Sequence, residues 1–164
     1  MDLFIVRHAW AGQRGDPRWP DDDLRPLSSE GKRRFALLVE MLAGRGFAPE
    51  LIVTSPLVRC LETAELIARG VPECPEVIPR DELRPGGDLE SLLRWTVGQS
   101  RHYRRIAWVG HAPDIGRLTS ALVGDGNAWI RFAKSAVALV RFPGQPNAGD
   151  GELRWLVTAR LLGI

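Results

Sequence analysis

The sequence predicts an α/β fold, a three-layer α/β/α sandwich around a mainly parallel central sheet. Three observations carry this. Short apolar runs of strand length alternate with stretches whose apolar residues recur at helical spacing. The runs at residues 3–6, 51–53 and 106–109 are continuously apolar, the pattern of strands covered on both faces. A helical pattern stands between successive runs, and such crossovers are how parallel neighbours are joined.

Each element has its own signal. Residues 3–6 (Leu-Phe-Ile-Val) form the first strand. Ser28 then offers an N-cap and Glu30 a first-turn acid. Phe35, Leu38, Val39 and Leu42 follow on one helical face, and Gly44 and Gly46 suit the helix end. Residues 51–53 are the second strand. A helix from about residue 57 to 68 ends at Gly70 and Pro72, and residues 77–78 make a short third strand. Asp88 caps a helix bearing Leu89, Leu92 and Leu93. Residues 106–109 are a further buried strand, and Ile115, Leu118 and Leu122 mark the next helix. Residues 136–142 and 153–157 read as two late strands joined by a Pro/Gly/Asn loop at 143–151.

Composition bounds the function. The 164 residues fit one domain, residues 1–164, with enough chain for a proper core. Net charge is only +2, and the basic residues are scattered rather than massed, which argues against a nucleic-acid binder. Two cysteines, Cys60 and Cys74, make neither a disulfide framework nor a CxxC metal motif. The first apolar run is four residues, too short for a secretory signal, and no run approaches the ~18 apolar residues of a membrane span. The expectation is a cytoplasmic protein with no membrane partner.

In sheets of this kind ligands bind beyond the carboxyl ends of the strands. Arg7-His8 follows the first strand, Thr54-Ser55-Pro56 with Arg59 the second, and Gly110-His111 the 106–109 strand. Two of the three histidines thus fall at the ligand edge with two arginines, while His102 sits in a polar stretch and reads as solvated. Zinc would want a third ligand and no cationic neighbours, so no metal is expected. Phosphoryl transfer suits the set better. Arg presents a rigid fork to phosphate oxygens, and a neutral imidazole can attack phosphorus to give a phosphohistidine that water hydrolyses. Arg7 and Arg59 are like charges to an imidazolium at His8 and should lower its pKa.

Five segments in order resemble one family. Arg7-His8-Ala9 resembles its Arg-His-Gly motif, and Asp23-Leu24-Arg25-Pro26-Leu27-Ser28 with Gly31 the lead into its first helix. Ser55-Pro56-Leu57-Val58-Arg59-Cys60-Leu61-Glu62-Thr63-Ala64 is similar to its Ser-Pro-x-x-Arg-Ala-x-Gln-Thr-Ala stretch. Leu83-Arg84-Pro85-Gly86-Gly87-Asp88 resembles Leu-x-Pro-x-Gly-Asp, and Val109-Gly110-His111-Ala112-Pro113 resembles Val-Gly-His-Asn-Pro. The family is the histidine phosphatase, or phosphoglycerate mutase-like, superfamily, and the run at 83–88 points to its SixA-type phosphohistidine phosphatase branch.

The resemblance implies a phosphoglycerate mutase-like fold, His8 as nucleophile, and Arg7, Arg59 and His111 around the phosphate, with His111 protonated. Ser55 and the helix start after it would add donors. No cofactor is implied. Ala9, Cys60, Glu62 and Ala112 depart from the motifs beside the pocket. Larger members carry a carboxylate proton donor near Pro85. Here the candidate is Glu82, with Asp81 and Asp88 as neighbours. A weak acid suits a phosphoramidate, whose leaving imidazole needs less help. Larger relatives also insert a helical lid where residues 69–105 hold one short helix, so the pocket should be open. The expected substrate is a phosphorylated protein side chain, phosphohistidine above all. A small phosphorylated molecule, hydrolysed or isomerised as by a phosphoglycerate mutase, is the alternative, and a non-catalytic phosphate-binding module is a third reading.

Overall fold

The computed structural model describes residues 1–164 and contains one six-stranded mixed sheet with helices on both faces. In chain order the elements are β1 (Asp2–Arg7), α1 (Ser29–Ala43), β2 (Leu51–Thr54), α2 (Val58–Gly70), β3 (Glu76–Pro79), α3 (Leu89–Gln99), β4 (Arg105–Gly110), α4 (Asp114–Val123), β5 (Val137–Arg141) and β6 (Glu152–Val157). The sheet order is β3-β2-β4-β1-β5-β6. The first four of these strands run parallel, β5 is antiparallel to β1, and β6 turns back along β5.

Side-chain alternation sorts the core into two halves. Phe4, Val6, Ala107 and Val109 face α1 and α2, meeting Phe35, Leu38, Val39 and Ile67. Leu3, Ile5, Ile106 and Trp108 face α3 and α4, meeting Leu92, Ile115, Leu118 and Leu122. The central strands are apolar throughout because both faces are covered. Transferring such side chains out of water stabilises the fold by about 1.5–3 kcal/mol each. The predicted caps are in place. Ser28 Oγ accepts from the Gly31 amide, and the Asp88 carboxylate accepts from the Glu90 amide. Three 3-10 turns, Asp22–Leu24, Asp81–Leu83 and Ala159–Leu162, had no periodic signal to announce them.

Register aligns the ligand edge. Arg7 on β1 pairs with Gly110 on β4, and Thr54 on β2 pairs with Val109. The next residues, His8, His111 and Ser55, therefore leave adjacent strands at one level. No large insertion follows any of these strand ends.

The start of α1 is held against the loop after β1. The Trp10 carbonyl accepts from the Ser28 amide at 2.9 Å and lies against the Gly31 Cα, so a Cβ there would overlap that oxygen. Replacing Gly31 by Ala forces backbone to move, and we expect a loss of roughly 2–4 kcal/mol. The denaturant midpoint should fall with an unchanged m-value.

Candidate active site

His8 sits just past β1 and is 7 % exposed. Its backbone is clamped on both sides. Its amide donates to the Gly110 carbonyl at 3.1 Å, and its carbonyl accepts from the Ser135 amide at 3.2 Å. The ring Nδ1 lies 2.7 Å from the Ala9 carbonyl oxygen. A carbonyl only accepts, so Nδ1 carries the hydrogen and Nε2 keeps its lone pair. The His8 pKa is pushed down to about 3, first by burial and then by the neighbouring His111, Arg59 and Arg7 charges. Arg7 and Arg59 lower it as expected, but removal from water is the larger cause.

The His111 ring stands 5.3 Å from that of His8, centroid to centroid. Its Nε2 is 2.9 Å from Ser55 Oγ and 3.4 Å from the Cys60 thiol. Burial, then the Arg59 charge, pushes its pKa down to about 4. The resemblance implied a protonated His111. Here burial and the Arg59 charge outweigh the opposing pull of Asp22 and Asp23 and favour the neutral ring at pH 7.

Arg59 projects from the first turn of α2 and is 4 % exposed. Its Nη1 donates to the Asp22 carbonyl at 2.7 Å, and its Nη2 meets the Asp22 carboxylate at 3.2 Å. Arg7 reaches the other way, donating from Nη1 to the Phe132 carbonyl at 2.8 Å. The Nε of each arginine is buried with no partner. Two cationic side chains thus stand at the edge where the histidines emerge, each with a buried donor left without an acceptor. No side chain caps the start of α2, so its first amides add positive potential. Residues 7, 8, 59 and 111 are thus brought together, with Ser55 bonded to the second imidazole.

Glu82 is not brought into play. Both its oxygens are taken by the Arg80 guanidinium, and those bonds lower its pKa. A proton donor needs the opposite shift, so this ion pair weighs against Glu82 as the acid. Asp81 pairs with Arg84, and Asp88 caps α3. Asp22 is the pocket residue the sequence reading passed over. Its only sequence signal was the run Asp21-Asp22-Asp23 ahead of Arg25, a pattern shared by many solvated turns. Its pKa is lowered chiefly by hydrogen bonding to Arg25. No three His, Cys, Asp or Glu side chains gather as metal ligands.

A family model described as the histidine phosphatase superfamily (branch 1) matches residues 3–125. The chain belongs to the histidine phosphatase superfamily. Among curated relatives, an uncharacterized protein of Picosynechococcus sp. is 34% identical over 147 residues, covering 86% of this chain and 85% of its own length. Phosphohistidine phosphatase SixA of Escherichia coli K12 is 27% identical over 158 residues, covering 94% and 92%. Among solved structures, the protein histidine phosphatase SixA complexed with tungstate superposes with a TM-score of 0.85, at 24% identity and 99% coverage of both chains. This chain is therefore a phosphatase of that superfamily, similar to SixA in sequence and in structure, with the phosphoglycerate mutase-like fold the sequence predicted. No helix in it is long and apolar enough to cross a membrane.

The depressed histidine pKa values set a pH dependence of stability. Unfolded histidines take up protons near pH 6.5, whereas His8 and His111 in the fold stay neutral down to about 3 and about 4. The unfolded chain thus binds more protons as pH falls below 6.5, and stability falls with it. Two such groups should cost roughly 3–4 kcal/mol between pH 7 and 5. Carboxylates with lowered pKa values do not titrate in that window. Denaturant unfolding at each pH checks this, and a variant carrying His8→Asn and His111→Asn should lose most of the slope.

Proposed function

We propose that this phosphatase hydrolyses phosphohistidine on a protein, through a covalent phosphoryl group on His8. The observation that carries the reading is the state of the carboxylates. Asp22 and Glu82, those nearest the role of proton donor, are held ionised by arginines. An alkoxide leaving from an ester wants a proton from the enzyme. A phosphoimidazole protonated on its second ring nitrogen brings its own, and departs as neutral imidazole. The phosphohistidine phosphatase named among the relatives supports the same reading. So does the span between α2 and β4, whose one α-helix, α3, runs 11 residues and builds no lid. An open pocket admits a side chain on a folded partner. The two free thiols suit a reducing cytoplasm.

On this reading the steps run as a double displacement. Arg7 and Arg59 bind the phosphoryl oxygens, and His8 Nε2 attacks phosphorus in line with the leaving nitrogen. The P–N bond to the substrate breaks and a P–Nε2 bond forms. The Nδ1 hydrogen, donated to the Ala9 carbonyl, stabilises the positive ring that results. His111, its ring 5.3 Å from that of His8, donates to the transferring oxygens once their charge has raised its pKa. Water then attacks the same phosphorus, and inorganic phosphate and neutral His8 are regenerated.

Phosphate release from a phosphohistidine protein should outrun that from alkyl phosphates by at least about 100-fold in kcat/KM. His8→Ala should cost about four orders of magnitude or more, and Arg59→Ala about 100–1,000-fold. Brief exposure to substrate and acid-free digestion should leave the label on residue 8. Turnover confined to small esters, or isomerisation of a phosphoglycerate faster than hydrolysis, would reject the protein substrate.

A further inference from the structure

A second concavity opens beside the phosphate pocket. A cleft of about 860 Å³ runs between α4 and residues 126–132, the segment leading into β5, and Arg7 belongs to its lining. Leu118, Ala121 and Ile130 give it an apolar floor. Trp129 stands at its rim, 93 % exposed, the most exposed of the large apolar side chains. Three arginines line the cleft, Arg7, Arg117 and Arg131, and no carboxylate does. Asp114 answers Arg117 in part, at 3.8 Å, while Arg131 has no acidic partner.

The far wall is fixed rather than loose. The Phe132 carbonyl is gripped by Arg7 at 2.8 Å, and the Ile130 carbonyl rests on the Cα of Gly116, where a Cβ would overlap it. The residue that reaches for phosphate therefore also anchors the cleft. The two hollows are continuous through one guanidinium.

We propose that this cleft is the docking subsite for the polypeptide that flanks the phosphorylated side chain, and that it selects an acidic segment carrying one bulky apolar residue. The proposal rests on the phosphoprotein reading above and names its substrate class. The lining follows α4 and its N-cap from Pro113 to Ala121, eight steps at a rise of 1.5 Å, or roughly 12 Å. An extended segment advancing about 3.3 Å per residue covers that with about four residues. The apolar side chain rests on the floor against Trp129, and the carboxylates meet Arg131 and Arg117. A phosphoryl group and an imidazole alone would leave most of the volume to water. A single small ligand would also have no use for cations spread along the length.

The test compares two phosphohistidine peptides, one flanked by Asp, Glu and Leu and one by Lys and Ser, with phosphoramidate as a substrate that has no flank. Wild-type enzyme should favour the acidic peptide by about 10-fold or more in kcat/KM, expressed in KM. Trp129→Ala and Arg117→Glu should each remove most of that preference and leave phosphoramidate turnover unchanged. Both side chains are at the surface and outside the catalytic set, so folding is not at issue. Calorimetric titration with the same acidic peptide unphosphorylated gives an independent readout. Binding to wild type, lost in Trp129→Ala, supports the cleft even if no peptide is dephosphorylated, in which case the phosphoprotein reading fails and the subsite stands. No binding, an unchanged preference in the variants, or an equal loss for phosphoramidate overturns the proposal. A Trp129-dependent preference for aryl phosphates over the acidic peptide also overturns it, giving the cleft to a small molecule.

Discussion

The hydrogen bond between His8 Nδ1 and the Ala9 carbonyl decides what this pocket can do. It fixes which ring nitrogen is bare, and the rest of the site is arranged around that nitrogen. Residue 9 is itself held. Its amide donates to Thr63 Oγ1 at 3.1 Å, and that hydroxyl donates to the Arg59 carbonyl at 2.6 Å. A line of three hydrogen bonds thus joins the His8 ring to the helix turn that carries Arg59. A shift of α2 would move both together and keep their spacing. That is the rigidity a transfer reaction needs, since small errors in alignment are costly.

Burial supplies the second constraint. Both imidazoles are withdrawn from water and kept neutral, while the arginines cannot lose their charge. The result is a positive pocket holding uncharged bases, a combination that solvent would not sustain. The unpartnered Nε groups of Arg7 and Arg59 are the cost of that arrangement in the empty enzyme.

The fold was largely legible because its signals are periodic. The α1 face of Phe35, Leu38, Val39 and Leu42 is wholly buried, and the continuous strands are those covered on both sides. The four convergent residues were legible because strand ends in a parallel sheet fall on one edge. What stayed hidden depends on contacts between loops. Nothing local says that Asp22 turns toward Arg59, or that Glu82 turns away to Arg80, because both carboxylates lie in short 3-10 turns without a hydrophobic pattern. The dominance of burial over charge in the histidine shifts was hidden for a related reason. Depth depends on how the layers close, and a sequence lists charges but not depth.

The grip of Asp22 on Arg59 has a consequence for the end of the cycle. A bare guanidinium in so dry a place would hold inorganic phosphate tightly, and the enzyme would clog on what it makes. With a carboxylate already on one edge of the fork, an arriving phosphoryl group meets a cation that is partly neutralised. A departing phosphate leaves behind a cation that still has company. On the proposed mechanism the resident acid would make the exchange of anions shallow in both directions, favouring turnover over capture.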